Sequence, residues 1–243
     1  MPNPMMREDV YQSGAYVSDS TPMTISGAIN KTLILLVIVA ISGVLTWQMY
    51  FNGYADKTMM MIWAGVICGF ILALITAFRP QNANVLAPAY AVCEGFALGG
   101  LSAIYEKALS GIVPSAVMLT FLALFTMLFM YKFNVIRATD KFRKTIMIAT
   151  ISVGLFYLIS IIAGFFGKEF TILYDSSPIG IGLSLLILGI ACLNFIIDFD
   201  FIERGAQSYA PKSFEWYGAF SLLVTLVWVY LEILRLLARL RDR

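Results

Sequence analysis

Residues 179–200, IGIGLSLLILGIACLNFIIDFD, decide the fold class of this chain. The first 19 of them, 179–197, contain no charged side chain. An apolar helix of about 20 residues crosses roughly 30 Å of hydrocarbon. Asp198 and Asp200 then end the run. The stretch predicts a transmembrane helix that finishes in carboxylates, and it raises the question of what those carboxylates do.

Apolar runs of similar length recur along nearly the whole chain. Hydrophobic residues make up 60% of the 243 residues and charged residues only 13%, which is typical of a membrane protein. Because lipid supplies no hydrogen-bond partners, continuous runs of this length predict helices rather than strands. We predict an all-α, polytopic membrane helix bundle. Its seven transmembrane helices are predicted over residues 32–51, 58–78, 84–105, 111–131, 144–166, 178–199 and 214–238.

The polar N-terminus and the basic residues near the span ends predict domains and orientation. The first 30 residues lack the basic start and apolar run of a cleaved signal peptide. We therefore expect a mobile polar tail, 1–30, and a seven-helix transmembrane domain, 31–243. With the N-terminus inside, ten lysines and arginines near the span ends lie on the inner side and three on the outer side. This excess favours a cytoplasmic N-terminus. If the last span crosses, its four C-terminal arginines lie outside and reduce the inner excess to ten against seven. The last span therefore either crosses despite its arginines or turns back, which leaves both termini inside.

The residue types and motifs in the sequence limit the functions that the chain can have. Because the chain has no histidine, proton chemistry falls to carboxylates, and a bound cation must accept oxygen ligands. The three cysteines lie inside predicted spans, and no base-stacking aromatic pattern accompanies the net charge of +2. The GxxxxGK[ST], HExxH, CxxC and GxSxG motifs are absent. We therefore expect no disulfide framework, no nucleic-acid partner, no cofactor and no enzymatic activity.

The two aspartates of the sixth span have different surroundings. Asn194 lies one helical turn before Asp198 on the same face, where its amide can donate a hydrogen bond to that carboxylate. Asp200 is turned roughly 200° away and precedes Glu203 and Arg204, a pattern typical of an interfacial helix end with a salt bridge. Asp198 is therefore the deeper acid.

The last span contains a second buried acid, Glu232, within residues 225–237, TLVWVYLEILRLL. A charge at membrane depth costs about 2.5–3.5 kcal/mol, so such groups usually face the bundle interior and have partners. One interpretation places Glu232 against Asp198, where the pair titrates as a unit and forms a pH switch. Loss of its proton would then recruit a cation such as Ca²⁺. The other interpretation is an ordinary ion pair between Glu232 and Arg235.

Glu94 and Arg79 are further candidates. Glu94 lies in midspan beside Gly95 and Gly99, a GxxxG pattern that lets another backbone approach closely. Its carboxylate either lines a polar cavity or is paired within the protein. Arg79, in residues 77–82, AFRPQN, ends the second span, where it either latches a carboxylate or anchors the helix at the headgroups.

The pattern of spans and motifs resembles the Bax inhibitor family, in particular its bacterial branch of seven-span inner-membrane proteins. The resemblance covers residues 24–240 and rests on the order of spans, on IIDFDFIERG at 196–205 and on VYLEILRLL at 229–237. The family's sixth span ends in an Asp followed by a polar stretch and an aliphatic residue, which Asp198 and Ile202 match. Its last span carries Tyr-Leu-Asp, matched here by Tyr230, Leu231 and Glu232.

The resemblance implies a pH-sensitive leak for cations, chiefly Ca²⁺, in the bacterial inner membrane. Asp198 and Glu232 would be the facing acids that hold the pore shut, and Arg79 the latch. Glu232 stands where the family has Asp. Because the sixth span carries two aspartates, it stays open whether Asp198 or Asp200 is the acid that faces Glu232. The alternative function is a non-transporting regulator that binds other membrane proteins, such as a protease or translocase.

Overall fold

A computed structural model describes residues 21–166 and 177–241, and these residues form seven long α-helices. All seven are long and apolar enough to cross a membrane. The prediction of an all-α polytopic bundle is confirmed. In chain order the helices are α1 Ile25–Phe51, α2 Ala55–Phe78, α3 Ala83–Ala108, α4 Ile112–Lys132, α5 Asp140–Phe165, α6 Pro178–Gln207 and α7 Phe214–Arg241.

The first helix begins earlier than the apolar pattern alone predicts. Thr24 has extended backbone, and its hydroxyl accepts a hydrogen bond from Gly27 N at 3.0 Å, which satisfies one of the free amides at the start of α1. Residues 25–30, predicted as part of the polar tail, are therefore helical. Residues 1–20 of the predicted tail lie outside the described residues.

One compact unit contains α1–α3 together with residues 200–224. Within it, α3 packs against both α1 and α2. A Cβ on Gly99 would collide with the backbone of Gly43 on α1, and a Cβ on Gly95 would collide with Ser42. Because only glycine allows these backbones to approach so closely, the packing role predicted for GxxxG is confirmed.

The start of α1 is held against the connection between α6 and α7. Met23 N donates a 2.8 Å hydrogen bond to Ala210 O, and Pro22 bridges Pro211 in antiparallel fashion. The start of α1 and the connection between α6 and α7 therefore lie side by side in this unit.

Within the described residues, the second compact unit contains 111–166, 177–199 and 225–241. Here α6 and α7 run antiparallel: Thr225 contacts Asp198, and further along α7 the buried Arg239 donates to Gly180 O at 2.9 Å. α7 is continuous over 28 residues, about 42 Å at 1.5 Å per residue. The last span is therefore a single helix long enough to cross a membrane.

α7 is more deeply buried than the other spans. In its apolar window 61% of the residues are buried, compared with 11% in α5, whose side chains are largely exposed. A helix enclosed to this extent presents most of its surface to protein rather than to lipid. Polar side chains on α7 are therefore available for contacts with neighbouring helices.

Candidate functional site

Glu232 lies on α7 with only 2% of its surface exposed, and it is surrounded by hydrogen-bond donors. Its Oε1 accepts from the Tyr157 hydroxyl at 2.7 Å, from Trp228 Nε1 at 3.0 Å and from Arg235 Nη2 at 2.9 Å. Trp228 and Arg235 lie one turn before and one turn after Glu232 on α7, whereas Tyr157 comes from α5. We call these four residues the Glu232 cluster.

Arg235 completes the Glu232 cluster. Its guanidinium forms an ion pair with Glu232, donates from Nη1 to the Tyr157 hydroxyl at 2.9 Å and lies over the Tyr157 ring at 5.0 Å. The predicted alternative for Glu232, an ion pair with Arg235, is the one that the structure forms. Two donors from α7 and one from α5 thus hold a single carboxylate oxygen within the apolar part of the protein.

Asp198 is the second buried acid, with 4% of its surface exposed. Its Oδ2 accepts a 2.6 Å hydrogen bond from the hydroxyl of Thr225, the residue at which α7 passes α6. A short hydroxyl–carboxylate distance is typical of a charge-assisted hydrogen bond. A hydroxyl also carries lone pairs, so Thr225 can accept a hydrogen bond from the protonated acid and can serve both protonation states of Asp198.

The two buried acids do not meet in this structure. Asp198 is level with Thr225, and Glu232 is seven positions further along α7, about 10 Å along the helix axis. Glu232 is instead paired with Arg235. The sequence-based picture of two facing carboxylates that share one proton is thus corrected to two acids with separate partners. Both acids are nevertheless buried, Asp198 on α6 and Glu232 on α7.

Asn194 does not donate to Asp198, contrary to the sequence-based expectation. Its Nδ2 donates to Thr150 Oγ1 on α5 at 2.9 Å and to Ile190 O at 2.8 Å. The amide therefore links α6 to α5. Helical spacing correctly placed Asn194 near Asp198, but spacing cannot show that a second helix offers the amide a nearer partner.

Asp200 forms a salt bridge on α6, although the helix continues beyond it to Gln207. Its Oδ2 lies 3.0 Å from Arg204 Nη2, one turn later on α6, and the arginine side chain is 40% exposed. The predicted salt bridge is confirmed, but the helix end predicted at Asp200 lies further along, at Gln207. Asp198, rather than Asp200, is the buried acid of the doublet.

Glu94 is half-buried on α3, and Tyr90, one turn earlier, donates a hydrogen bond to its carboxylate. The carboxylate also lies against Gly69 of α2, where an added Cβ would be 3.3 Å from Oε2. Of the two interpretations offered for Glu94, pairing within the protein is present. Its role in a polar cavity stays a prediction.

Arg79 is exposed at the end of α2, where its backbone N–H donates to Ile75 O at 2.8 Å. None of the ion pairs formed within residues 21–166 and 177–241 includes Arg79. The cation that contacts Glu232 is Arg235. The latch role of Arg79 stays a prediction.

Sequence reasoning missed Tyr157 and Thr225. Each is an isolated polar group in an apolar span, in GLFYLIS at 154–160 and LLVTLVW at 222–228. A hydroxyl on an apolar span is a weak signal by itself, because serine and threonine often bond back to their own helix. Only the packing of a neighbouring helix shows that these two hydroxyls reach carboxylates.

In the described part of the chain, no three of His, Cys, Asp and Glu lie close enough together to hold a metal ion. The predicted Ca²⁺ ligands, Asp198 and Glu232, lie in separate contacts. Binding of Ca²⁺ by these two residues stays a prediction.

Seven apolar helices with carboxylates buried on the last two define a polytopic α-helical membrane protein. The chain belongs to the family described as Bax inhibitor 1 like, whose model matches residues 3–242, nearly the whole chain. This is a family of membrane channels and regulators rather than of known enzymes. No curated protein and no solved structure matched the chain.

Proposed function

We propose that this protein is a pH-sensitive cation leak, with Ca²⁺ as the chief ion. The observation that supports it best is the burial of two carboxylates, Asp198 and Glu232, in the apolar interior of the last two helices. Burying such a group costs free energy, so ionisable residues at membrane depth commonly mark ion pathways. We place the protein in the bacterial inner membrane with its N-terminus in the cytoplasm.

The two acids have different parts in this proposal. Asp198 is the acid that responds to protons, because its Thr225 partner can serve the carboxylate and the carboxylic acid alike. Glu232 stays with Arg235 and Trp228, whose side chains only donate hydrogen bonds. Ionised Asp198 attracts a cation, whereas protonated Asp198 does not. Cation flux should therefore rise with pH.

Flux of Ca²⁺ into liposomes that contain the purified protein tests this proposal between about pH 5 and 8. Asp198→Asn mimics the protonated acid, so the flux should fall by about tenfold at the upper end of this range and lose its pH dependence. Asp140→Asn is the matched control, because Asp140 is an exposed carboxylate, 3.6 Å from Arg143. Its flux should stay within about twofold of wild type.

Asp200→Asn in the same assay identifies the acid of the doublet. Loss of pH dependence in this variant, with Asp198→Asn unchanged, would assign the role to Asp200. If wild-type liposomes pass no more cation than empty ones, the leak is refuted. The regulator alternative then takes its place, and its test is the isolation of a stable complex with another membrane protein.

A further inference from the structure

We infer that Tyr157 is a positioning residue that holds Glu232 in its ion pair with Arg235, and so keeps the Arg235 charge neutralised next to the ion path. This inference rests on the proposed leak function. The Tyr157 hydroxyl donates to Glu232 at 2.7 Å and accepts from Arg235 at 2.9 Å. One oxygen atom of α5 thus contacts both members of the pair on α7.

The chemistry of the contact requires a hydroxyl. A phenol oxygen can both donate and accept a hydrogen bond. It can therefore bridge a carboxylate, which only accepts, and a guanidinium, which only donates. The ring of Tyr157 also lies under the guanidinium. Phenylalanine keeps the ring and its stacking but removes the bridging oxygen. The substitution Tyr157→Phe therefore isolates the positioning contact.

The charged and titratable groups around Glu232 come from three helices. α5 contributes Tyr157, and α7 contributes Arg235. Two contacts set the register of α6 against α7: Thr225 with Asp198, and Arg239 with Ser184. Because the two helices are antiparallel, this register brings Cys192 of α6 close to the level of Glu232. Arg235 is the cation in direct contact with Glu232. Tyr157 is the group from another helix that holds the Glu232 carboxylate in place.

Loosening this contact has a definite electrostatic consequence. If Glu232 takes up a proton, the guanidinium of Arg235 loses its counter-ion inside a poorly screened part of the protein. An unbalanced positive charge repels a passing cation. Tyr157 opposes this outcome because it supplies one of the three donors that stabilise the ionised Glu232 carboxylate.

Trp228 provides an internal reporter, because its indole N–H donates to the same carboxylate oxygen. In full-length protein with Trp47, Trp63 and Trp216 replaced by phenylalanine, the emission belongs to Trp228 alone. Tyr157→Phe should shift this emission, because the carboxylate that accepts from the indole loses one of its three donors.

The flux assay gives a second readout on otherwise unaltered protein. Tyr157→Phe should move the midpoint of the pH–flux profile upward by at least about 0.5 unit, while leaving flux at the upper end within about twofold. Arg235→Lys should shift it in the same direction, because lysine keeps the charge but loses the planar fork that reaches both Glu232 and Tyr157. Tyr50→Phe, which removes a hydroxyl at the far end of α1, is the control and should leave the profile unchanged.

The two proposals fail separately. Absence of pH-dependent flux in wild type refutes the leak, yet Trp228 emission still decides whether Tyr157 holds Glu232. If both the emission and the flux profiles of Tyr157→Phe superimpose on those of wild type, the positioning role is wrong. A shift that is equally large in a Glu232→Gln background also overturns it, because Tyr157 would then act without Glu232.

Discussion

Thr225 on α7 donates a 2.6 Å hydrogen bond to Asp198 on α6, and both residues are buried. The contact places a hydroxyl that can donate or accept beside the acid to which we assign the response to protons. Protonation of Asp198 should therefore change this hydrogen bond.

Thr225→Val removes the hydroxyl and keeps the shape of the side chain. The variant should lose about 1–3 kcal/mol of stability, because a buried carboxylate loses a donor. The rise of cation flux should also move to higher pH, since the ionised carboxylate is less well stabilised. Thermal unfolding in detergent and liposome flux measure the two effects. Thr225→Ser, which keeps the hydroxyl, should restore the wild-type profile; a profile shifted equally in both variants would contradict this prediction.

The ion pair between Glu232 and Arg235 predicts a charge rescue. Glu232→Gln leaves Arg235 without its counter-ion, so cation flux should fall by about tenfold at every pH between about 5 and 8. Replacing Arg235 with glutamine in the same chain removes the unbalanced charge, and flux should recover to within about threefold of wild type. The double variant and both single variants are measured in parallel. A double variant as inactive as Glu232→Gln would show that the charge of Arg235 is not the cause.

Glu215 predicts a stability centre that is separate from the proposed ion path. Its carboxylate is 1% exposed, forms an ion pair with Lys31 and accepts hydrogen bonds from Thr24 N at 2.9 Å and Thr24 Oγ1 at 3.0 Å. Glu215→Ala should lower the melting temperature in detergent by at least about 5 °C, because Lys31 and two donors of Thr24 lose their acceptor. Asp140→Ala, which removes an exposed carboxylate, should change it by less than about 2 °C. Equal losses in the two variants would refute the central role of Glu215.

Glycine packing between α1 and α3 supplies the last prediction. Gly99→Ala should destabilise the protein, because the new Cβ would overlap the backbone of Gly43, and neither backbone can yield without moving a helix. Gly154→Ala on α5 is the control, since a Cβ there meets nothing within 4 Å. It should leave the melting temperature unchanged or raise it, because alanine favours helix over glycine. The order of the two melting temperatures decides the prediction.

The sequence determined the membrane fold, because the number and length of apolar runs leave a chain in lipid little choice but helices. It also identified Asp198 and Glu232 as costly residues to bury, and Arg204 as the partner of Asp200. In each of these cases the evidence lies within a single helix. Spacing along one helix fixes which side chains share a face, so local contacts such as Glu232–Arg235 are open to prediction.

Only the tertiary structure decided what the buried acids contact. Tyr157 reaches Glu232 from 75 positions away in sequence, and Thr225 reaches Asp198 from 27. No periodicity encodes such a meeting, because it depends on how far one helix is shifted along its neighbour. That shift also separates Asp198 from Glu232 by two helical turns and directs Asn194 toward Thr150. The sequence specifies which polar groups enter the membrane, and helix register determines which of them become partners.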